Sequence, residues 1–461
     1  MSTFRRRVSW RPARFIAFVL AFVLAFVLIA VLAPRVALAQ EQALTTAYNA
    51  SGQELFRQFA SAPGNIVFSP YSIGTAMAMA LSGARGETEK QMAAVLKLGM
   101  PRAAMEAANA SALAILNGYD KSAVPPECPA GMSLDGRMCK GPRTAQGNCP
   151  FPMRLEGSQC TGPAKFPPSA KLTIANALML TKAGAGGVVS PDYVALLKDK
   201  YAAEVFKDAQ LADVNAWVNR KTEGKIDKIL DRLDPSAPAV LLNAVYFKAA
   251  WLSTFKKPNT KDEDFNLSPS AKVQVPTMHQ TGSYVVMMYP GFRAIRLPYV
   301  VRLLSMVVVV PERVNGVREL GQRLDAEGVS KLLADVQRAP FKRVELALPR
   351  FKATYKAELV GPFQQAGLIL PFDRARADFS GMTGKPSGKD GLMIGQIVHR
   401  AVIEVEEEGT EAAAATAVVM VPTAAMPVTP EPFRVDRPFL FYLVDDSTGA
   451  ILFQGRINDP R

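Results

Sequence analysis

Histidine is nearly absent from this chain. The 461 residues hold two, His279 and His399. A Ser-His-Asp hydrolase would need one of them beside an exposed nucleophile. No G-x-S-x-G elbow accompanies either. Ser253-Thr254-Phe255-Lys256 spells S-x-x-K, but two fixed positions in four recur by chance. The chain therefore gives no support to an enzyme. Cysteine is scarce too: four, all between positions 128 and 160. No C-x-x-C pair and no neighbouring histidine completes a zinc set, so no metal or cofactor is expected. No nucleic-acid motif is present. The net charge is +13, but residues 1–39 hold six arginines and no acid, leaving +7 for the rest. Such a charge can favour acidic glycans or membrane surfaces, but the plainer reading is a mildly basic surface with no partner.

What is present is an ordinary globular balance, 49% hydrophobic and 21% charged, with ample material for a core. Length alone suggests two or three domains of about 150 residues. Arg5, Arg6, Arg7, Arg11 and Arg14 precede an uncharged apolar run over residues 15–33, and Ala37-Leu38-Ala39 follows. This is the layout of an export signal with an A-x-A cleavage site, yet the run is long enough to cross a bilayer. Residues 1–39 are thus a cleaved signal peptide or an uncleaved N-terminal membrane anchor, and the A-x-A pattern favours cleavage. Either way the arginines stay inside, and the body, residues 41–461, is secreted or periplasmic. A membrane is a partner only if the segment stays.

Leu44, Tyr48, Leu55, Phe56 and Phe59 give residues 41–60 a helical period. Ile66-Val67-Phe68 reads as a short strand, and Ser69-Pro70 starts a helix rich in small residues. Residues 101–118 form an Ala-rich helix ending at Gly118. KLTIANALML reads as a strand. SPDYVALLKDKYAAEVFKD reads as a helix and a short strand, and DVNAWVNRKTEGKIDKIL as an amphipathic helix. AVLLNAVYFKAAWLSTF is a buried strand by its apolar run. VPTMHQTGSY, LPYVVRLLSMVVVVPE and VELALPRFK are further strands, and RPFLFYLVDDSTGAILFQGRINDP is a hairpin turned at Ser447-Thr448-Gly449.

Residues 121–168 break the pattern, with nine prolines and six glycines, too many for a packed element. They contain a repeat, CPAGMSLDGRMCKGP from Cys128 and CPFPMRLEGSQCTGP from Cys149, 21 residues apart. Four cysteines in an exported chain imply two disulfides and allow three pairings. A duplicated unit that closes on itself favours Cys128–Cys139 with Cys149–Cys160. The plain reading is a surface insertion; the sharper one is a docking site.

The stretch EVEEEGTEAAAATAVVMVPTAAMPVTPEPFRVDRPF, residues 404–439, sets local rules against each other. Alanine favours helix, while prolines 422, 427, 430 and 432 deny any regular element beyond Val421. By composition it is a short Ala-rich helix leading into a surface loop.

EEEGTEAAAATA nevertheless resembles the hinge of the serpin family. GARGETEKQM, the KTEGKI run, LLNAVYFKAAW, ADFSG and the closing hairpin resemble serpin segments in the same order. The resemblance covers nearly the whole chain, apart from residues 121–168. It implies an α+β serpin fold in one unit: a large mixed sheet, smaller barrel-like sheets, eight or nine helices and an exposed reactive-centre loop. It implies a monomer that inhibits serine proteases as a suicide substrate, in a covalent complex, by inserting the cut loop as a new strand. The implied hinge is Glu407, Gly409, Thr410, Ala412, Ala414 and Thr416. Strand alternation turns Thr410, Ala412, Ala414 and Thr416 inward and leaves Glu411 wet. The implied shutter beneath the opening sheet is Ser69, Ser72, Asn243 and His399. Fourteen positions after the hinge glycine falls Thr423, so the implied reactive bond is Thr423–Ala424, with Ala424, Ala425 and Met426 as alternatives. All four are small or apolar, which fits an elastase-like or subtilisin-like protease and disfavours a trypsin-like one. A non-inhibitory serpin, a carrier or chaperone, is the alternative within the fold. A binding module working through the Cys repeats is the alternative outside it.

Overall fold

A computed structural model of the chain describes residues 37–60, 62–118, 132–135, 138–142, 148–149, 154–163, 170–181, 189–207, 210–234, 236–300, 303–384, 392–410 and 429–461. Helix α1 covers residues 37–59. It is followed by β1 (Ile66–Phe68), α2 (Pro70–Gly83), α3 (Gly86–Val95) and α4 (Arg102–Gly118). Four short strands come next: β2 (Ser133–Asp135), β3 (Met138–Gly141), β4 (Arg154–Glu156) and β5 (Gln159–Pro163). Then run β6 (Ala170–Leu180), α5 (Pro191–Tyr201), β7 (Glu204–Lys207), α6 (Leu211–Lys221) and β8 (Ala239–Ala250). The middle holds β9 (Lys261–Ser268), β10 (Ala271–Tyr289), β11 (Phe292–Pro298), β12 (Leu304–Pro311), α7 (Val317–Arg323) and α8 (Ala326–Arg338). Strands β13 (Lys342–Pro349) and β14 (Phe351–Glu358), helices α9 (Val360–Gln365) and α10 (Ser380–Thr383), and strands β15 (Ile394–Glu406) and β16 (Gly409–Thr410) follow. The chain closes with β17 (Glu431–Arg434), β18 (Phe439–Asp445) and β19 (Ile451–Ile457). Among the described residues there are ten helices, eight of seven residues or more.

Two sheets carry the fold. The nine-stranded one runs β1-β19-β18-β12-β11-β10-β13-β17, with β9 also on β10. The six-stranded one runs β14-β15-β16-β8-β6-β7 and is mixed, since β15 lies parallel to β8 and β6 parallel to β7. Helix α2 packs against strands of both, β19 from one and β6 and β8 from the other. All fourteen of its residues are buried. Such a helix must be apolar or small all round, and its small residues let neighbours come close. A Cβ at Gly74 would overlap the Tyr48 ring of α1. Its entry is fixed by Ser69, whose hydroxyl accepts from the Ser72 N–H, and by Pro70 in the first turn. One core fills the space between the sheets, and a second lies under α6 on the outer face of the six-stranded sheet.

Two expectations are corrected. The DVNAWVNRKTEGKIDKIL helix stops at Lys221 rather than running to Leu230. Glu223 and Gly224 take left-handed backbones at φ 52° and 78°, which a helix cannot continue through. The Asn215 carboxamide oxygen then accepts from the Ile229 and Leu230 N–H groups, so the residues beyond are satisfied without helix. The Cys-containing insertion, read as too rich in proline and glycine for packed structure, holds a four-stranded sheet, β2-β3-β5-β4. Its strands are short, three to five residues, and the one proline they contain, Pro163, is the last residue of β5. The two hairpins repeat each other, Leu134 facing Cys139 as Leu155 faces Cys160. A Cys149–Cys160 disulfide closes the second hairpin, with Cα atoms 5.4 Å apart. Cys139 is also disulfide-bonded, while Cys128 lies outside the described residues. Cys139 and Cys160 form a small core of their own with Met132 and Cys149.

Candidate functional site

The six-stranded sheet is split at one end. Strands β15 and β8 pair directly from Ile394/Ala239 up to Val402/Tyr246. Above that row they part, and β16 stands between them. Thr410 pairs with Val405 on one side and Ala249 on the other, and Gly409 with Glu406 and Ala250. The start of the hinge has therefore already entered the sheet, antiparallel to both flanking strands. Only glycine fits at 409. Its φ is +148°, and a Cβ there would overlap the Ala249 carbonyl oxygen and lie 2.6 Å from Ala250 Cα.

The turn at Glu407-Glu408 that feeds this strand is held by its backbone. The Trp251 indole donates to the Glu406 carbonyl at 3.0 Å. The Trp251 N–H donates to Glu408 O and the Phe255 N–H to Glu407 O. Trp251 is itself fixed by stacking on Tyr299, with ring centroids 4.4 Å apart. Glu407 is buried, at 1% exposure. The Thr260 hydroxyl donates to its Oε1 at 2.6 Å and Arg350 Nε at 2.9 Å, and Arg350 Nη2 adds a third bond. Burial pushes this carboxyl up, but those hydrogen bonds outweigh it and hold it below the ordinary range. Its Oε2 has no partner.

Lower in the same sheet the four expected shutter residues meet. His399 is fully buried. It is hydrogen-bonded through Nδ1 to Asn243 Oδ1, and its Nε2 accepts from the Ser69 N–H at 3.2 Å. The ring is thus neutral with its proton on Nδ1, and burial lowers its pKa to about 3. The Asn243 amide donates to Ser72 Oγ at 2.6 Å, Ser72 O at 3.0 Å and Asn176 Oδ1 at 2.5 Å. Asn176, Asn243 and His399 lie in one row across β6, β8 and β15. Asn176 was missed by sequence reasoning, although it is the one polar residue in the apolar run Ile174–Leu180 of β6. Arg350, Thr260 and Trp251 were missed as well, because nothing local ties them to Glu407.

The other histidine lies elsewhere, on β10, with Nε2 3.0 Å from Glu263. The side chain of Thr410, and all of Ala412, Ala414, Thr416, Thr423 and Ala424, lie outside the described residues.

What the arrangement offers is a slot. It is flanked by two parallel strands, already occupied by two residues at its mouth, and closed below by a polar row that crosses it. Comparison with known proteins gives this arrangement a family. The model of the family described as Serpin (serine protease inhibitor) matches residues 46–133 and 155–460. An uncharacterized serpin-like protein of Thermococcus kodakarensis is 31% identical over 92% of this chain and 87% of its own. The leukocyte elastase inhibitor of Xenopus tropicalis is 30% identical over 88% of this chain and 97% of its own. Among solved structures, native protease nexin-1 with heparin superposes with a TM-score of 0.69 at 26% identity, covering 92% of this chain and all of that one.

Proposed function

The chain belongs to the serpin family, and from that premise we propose that it inhibits serine proteases by inserting its cut loop into the slot between β15 and β8. The observation that carries this reading is the register of β16. Continued downward, that register brings Ala412 between Ile403 and Phe247, and Ala414 between Ala401 and Val245. Directly paired residues share a face, and these four neighbours belong to the main core. Thr416 would arrive between His399 and Asn243, replacing the bond that joins them. Glu411 would fall on the outer face beside Lys248. Met420 would reach Ala239, the end of β8, two residues before Pro422 stops any strand. The insertable length and the first proline thus agree, which favours Thr423–Ala424 as the reactive bond.

The cut is needed because the chain is too short without it. Twelve inserted residues, 410–421, would travel about 40 Å. Residues 422–430 span at most about 32 Å, and β17 anchors their far end beside β13. Cleavage removes that tether.

Export fits the Cys149–Cys160 disulfide, which persists in oxidising compartments. In α1, residues 37–39 are exposed and burial begins at Glu41, so cleavage at the A-x-A site would spare the packed part. The test is incubation with elastase-like and subtilisin-like serine proteases. A complex that survives SDS, with the cut mapped inside residues 422–427, is the expected result. Clean cleavage with no complex would instead support a non-inhibitory role. Loss of the complex on deleting residues 121–168, with the fold intact, would move the activity to the insertion.

A further inference from the structure

Helix α1 is anchored from Glu41 onward. Glu41 is 6% exposed, and its carboxylate accepts from the Ser111 hydroxyl on α4. One turn later the Thr45 hydroxyl donates to the Thr448 carbonyl of the closing hairpin at 3.0 Å. Leu44 and Tyr48 are fully buried. Upstream of Glu41 these contacts stop. Residues 37–39 are exposed, and Leu38, the one large apolar side chain among them, is 50% exposed. Gln40 stands at the border. It is partly buried, and its carboxamide bonds to no described residue. The A-x-A pattern puts small residues at 37 and 39 and so directs the export cut between Ala39 and Gln40. The residue left first by that cut is a glutamine whose side chain nothing holds.

We propose that Gln40, once freed by the cut, closes on its own α-amine to form a pyroglutamyl cap on α1. The amine nitrogen attacks the side-chain carboxamide carbon. A new N–C bond closes a lactam ring, the bond from that carbon to the amide nitrogen breaks, and ammonia leaves with the proton the amine gives up. Asparagine is one methylene short of this ring, and glutamate would have to expel water from an ionised carboxylate. Glutamine is therefore the residue type suited to the position. The fold favours the closed form. A free α-amine is cationic near neutral pH. Here it would sit in the first turn of a helix, where the backbone dipoles already present positive charge. The lactam removes that charge and keeps an N–H. Nothing packed has to move for the ring to close, because burial begins one residue later. The cap also denies aminopeptidases the free amine they grip. Trimming past Gln40 would next remove Glu41 and with it the α1–α4 bond to Ser111, so the cap guards the edge of the core. The proposal rests on the export reading, through the cut after Ala39, and is independent of loop insertion.

The experiment expresses the full chain with export in a bacterium and weighs the mature protein intact. The expected mass is that of residues 40–461 less one ammonia. Stepwise amino-terminal degradation should be blocked, and a pyroglutamyl aminopeptidase should open it at Glu41-Gln42-Ala43. Gln40→Asn should begin at the same position and keep its ammonia. It should also lose its first residue to a general aminopeptidase that leaves the wild type untouched. If that variant is not exported, the wild-type mass decides alone. A wild-type chain that begins at Gln40 and still has its full mass after days at neutral pH would overturn the cap and leave the export cut standing. A chain that begins anywhere else would overturn the cut, and the cap with it.

Discussion

His399 shows how one buried side chain ties the sheet to solution pH. It is neutral in the fold, with a pKa of about 3 against an ordinary 6.5, because burial disfavours the imidazolium. The unfolded chain binds the proton first. Stability is therefore complete above about pH 6.5 and falls as pH drops toward about 3, by at most about 1.4 kcal/mol per pH unit. His399→Gln should remove that slope, which urea melts between about pH 4.5 and 7 would measure. Glu407 contributes in a lower window. Its depressed carboxyl stabilises the fold above the ordinary carboxylate range and loses that contribution only as pH falls through and below it, so above that range the slope belongs to His399 and not to Glu407. His399 was legible in the sequence through resemblance and through rarity, being one of two histidines. The role of Arg350 was not, because its partner Glu407 is 57 positions away and no spacing rule joins them.

At the scale of the strand, the slot sets what may enter. The rows awaiting Ala412 and Ala414 are lined by Phe247, Ile403, Val245 and Ala401, all at 1% exposure or less. A methyl group fits between such neighbours; a charge would be buried without a partner. If the chain inhibits as proposed, Ala414→Asp should leave the native fold and the cutting rate unchanged and convert inhibition into plain cleavage. SDS-resistant complex would fall by at least about tenfold while cleaved product rises in proportion, since a few kcal/mol at this step is ample. Glu411 has the opposite preference. Its row on the outer face holds Lys171 and Lys248 on β6 and β8, and Glu404 and Lys352 on β15 and β14, so a carboxylate there meets a surplus of cations. Period-two alternation is what proposes this division, and residues 411–416 lie outside the described residues. The same reasoning failed for residues 222–230, where the pattern was helical but the left-handed pair Glu223-Gly224 ended the helix. It failed again in the insertion, where composition hid two hairpins that a 21-residue repeat and paired cysteines make possible.

For the molecule as a whole, the two ends of the sheet store the same choice. At the mouth, β16 has entered by two residues and is held there through Trp251, Phe255 and the Glu407 turn. Lower down, β15 and β8 are zipped together and locked by the His399–Asn243 bond. On the proposed mechanism, full insertion would have to unzip rows that are already well packed, so it would be slow until cleavage frees the far end of the loop. Each entering residue would then exchange one strand pairing for two, and small inward side chains would add burial without opening a cavity. On that reading the uncut form is a kinetic trap above a more stable one. Nicking the purified protein between Gly409 and Arg437 should accordingly raise the melting temperature, by about 10 °C or more if the new strand contributes several kcal/mol. The rise should vanish in Ala414→Asp, whose strand cannot seat. A nicked wild-type chain that melts where the intact one does would mean that the segment stays outside. The pre-entered Gly409-Thr410 pair would then be no more than the edge of a surface loop.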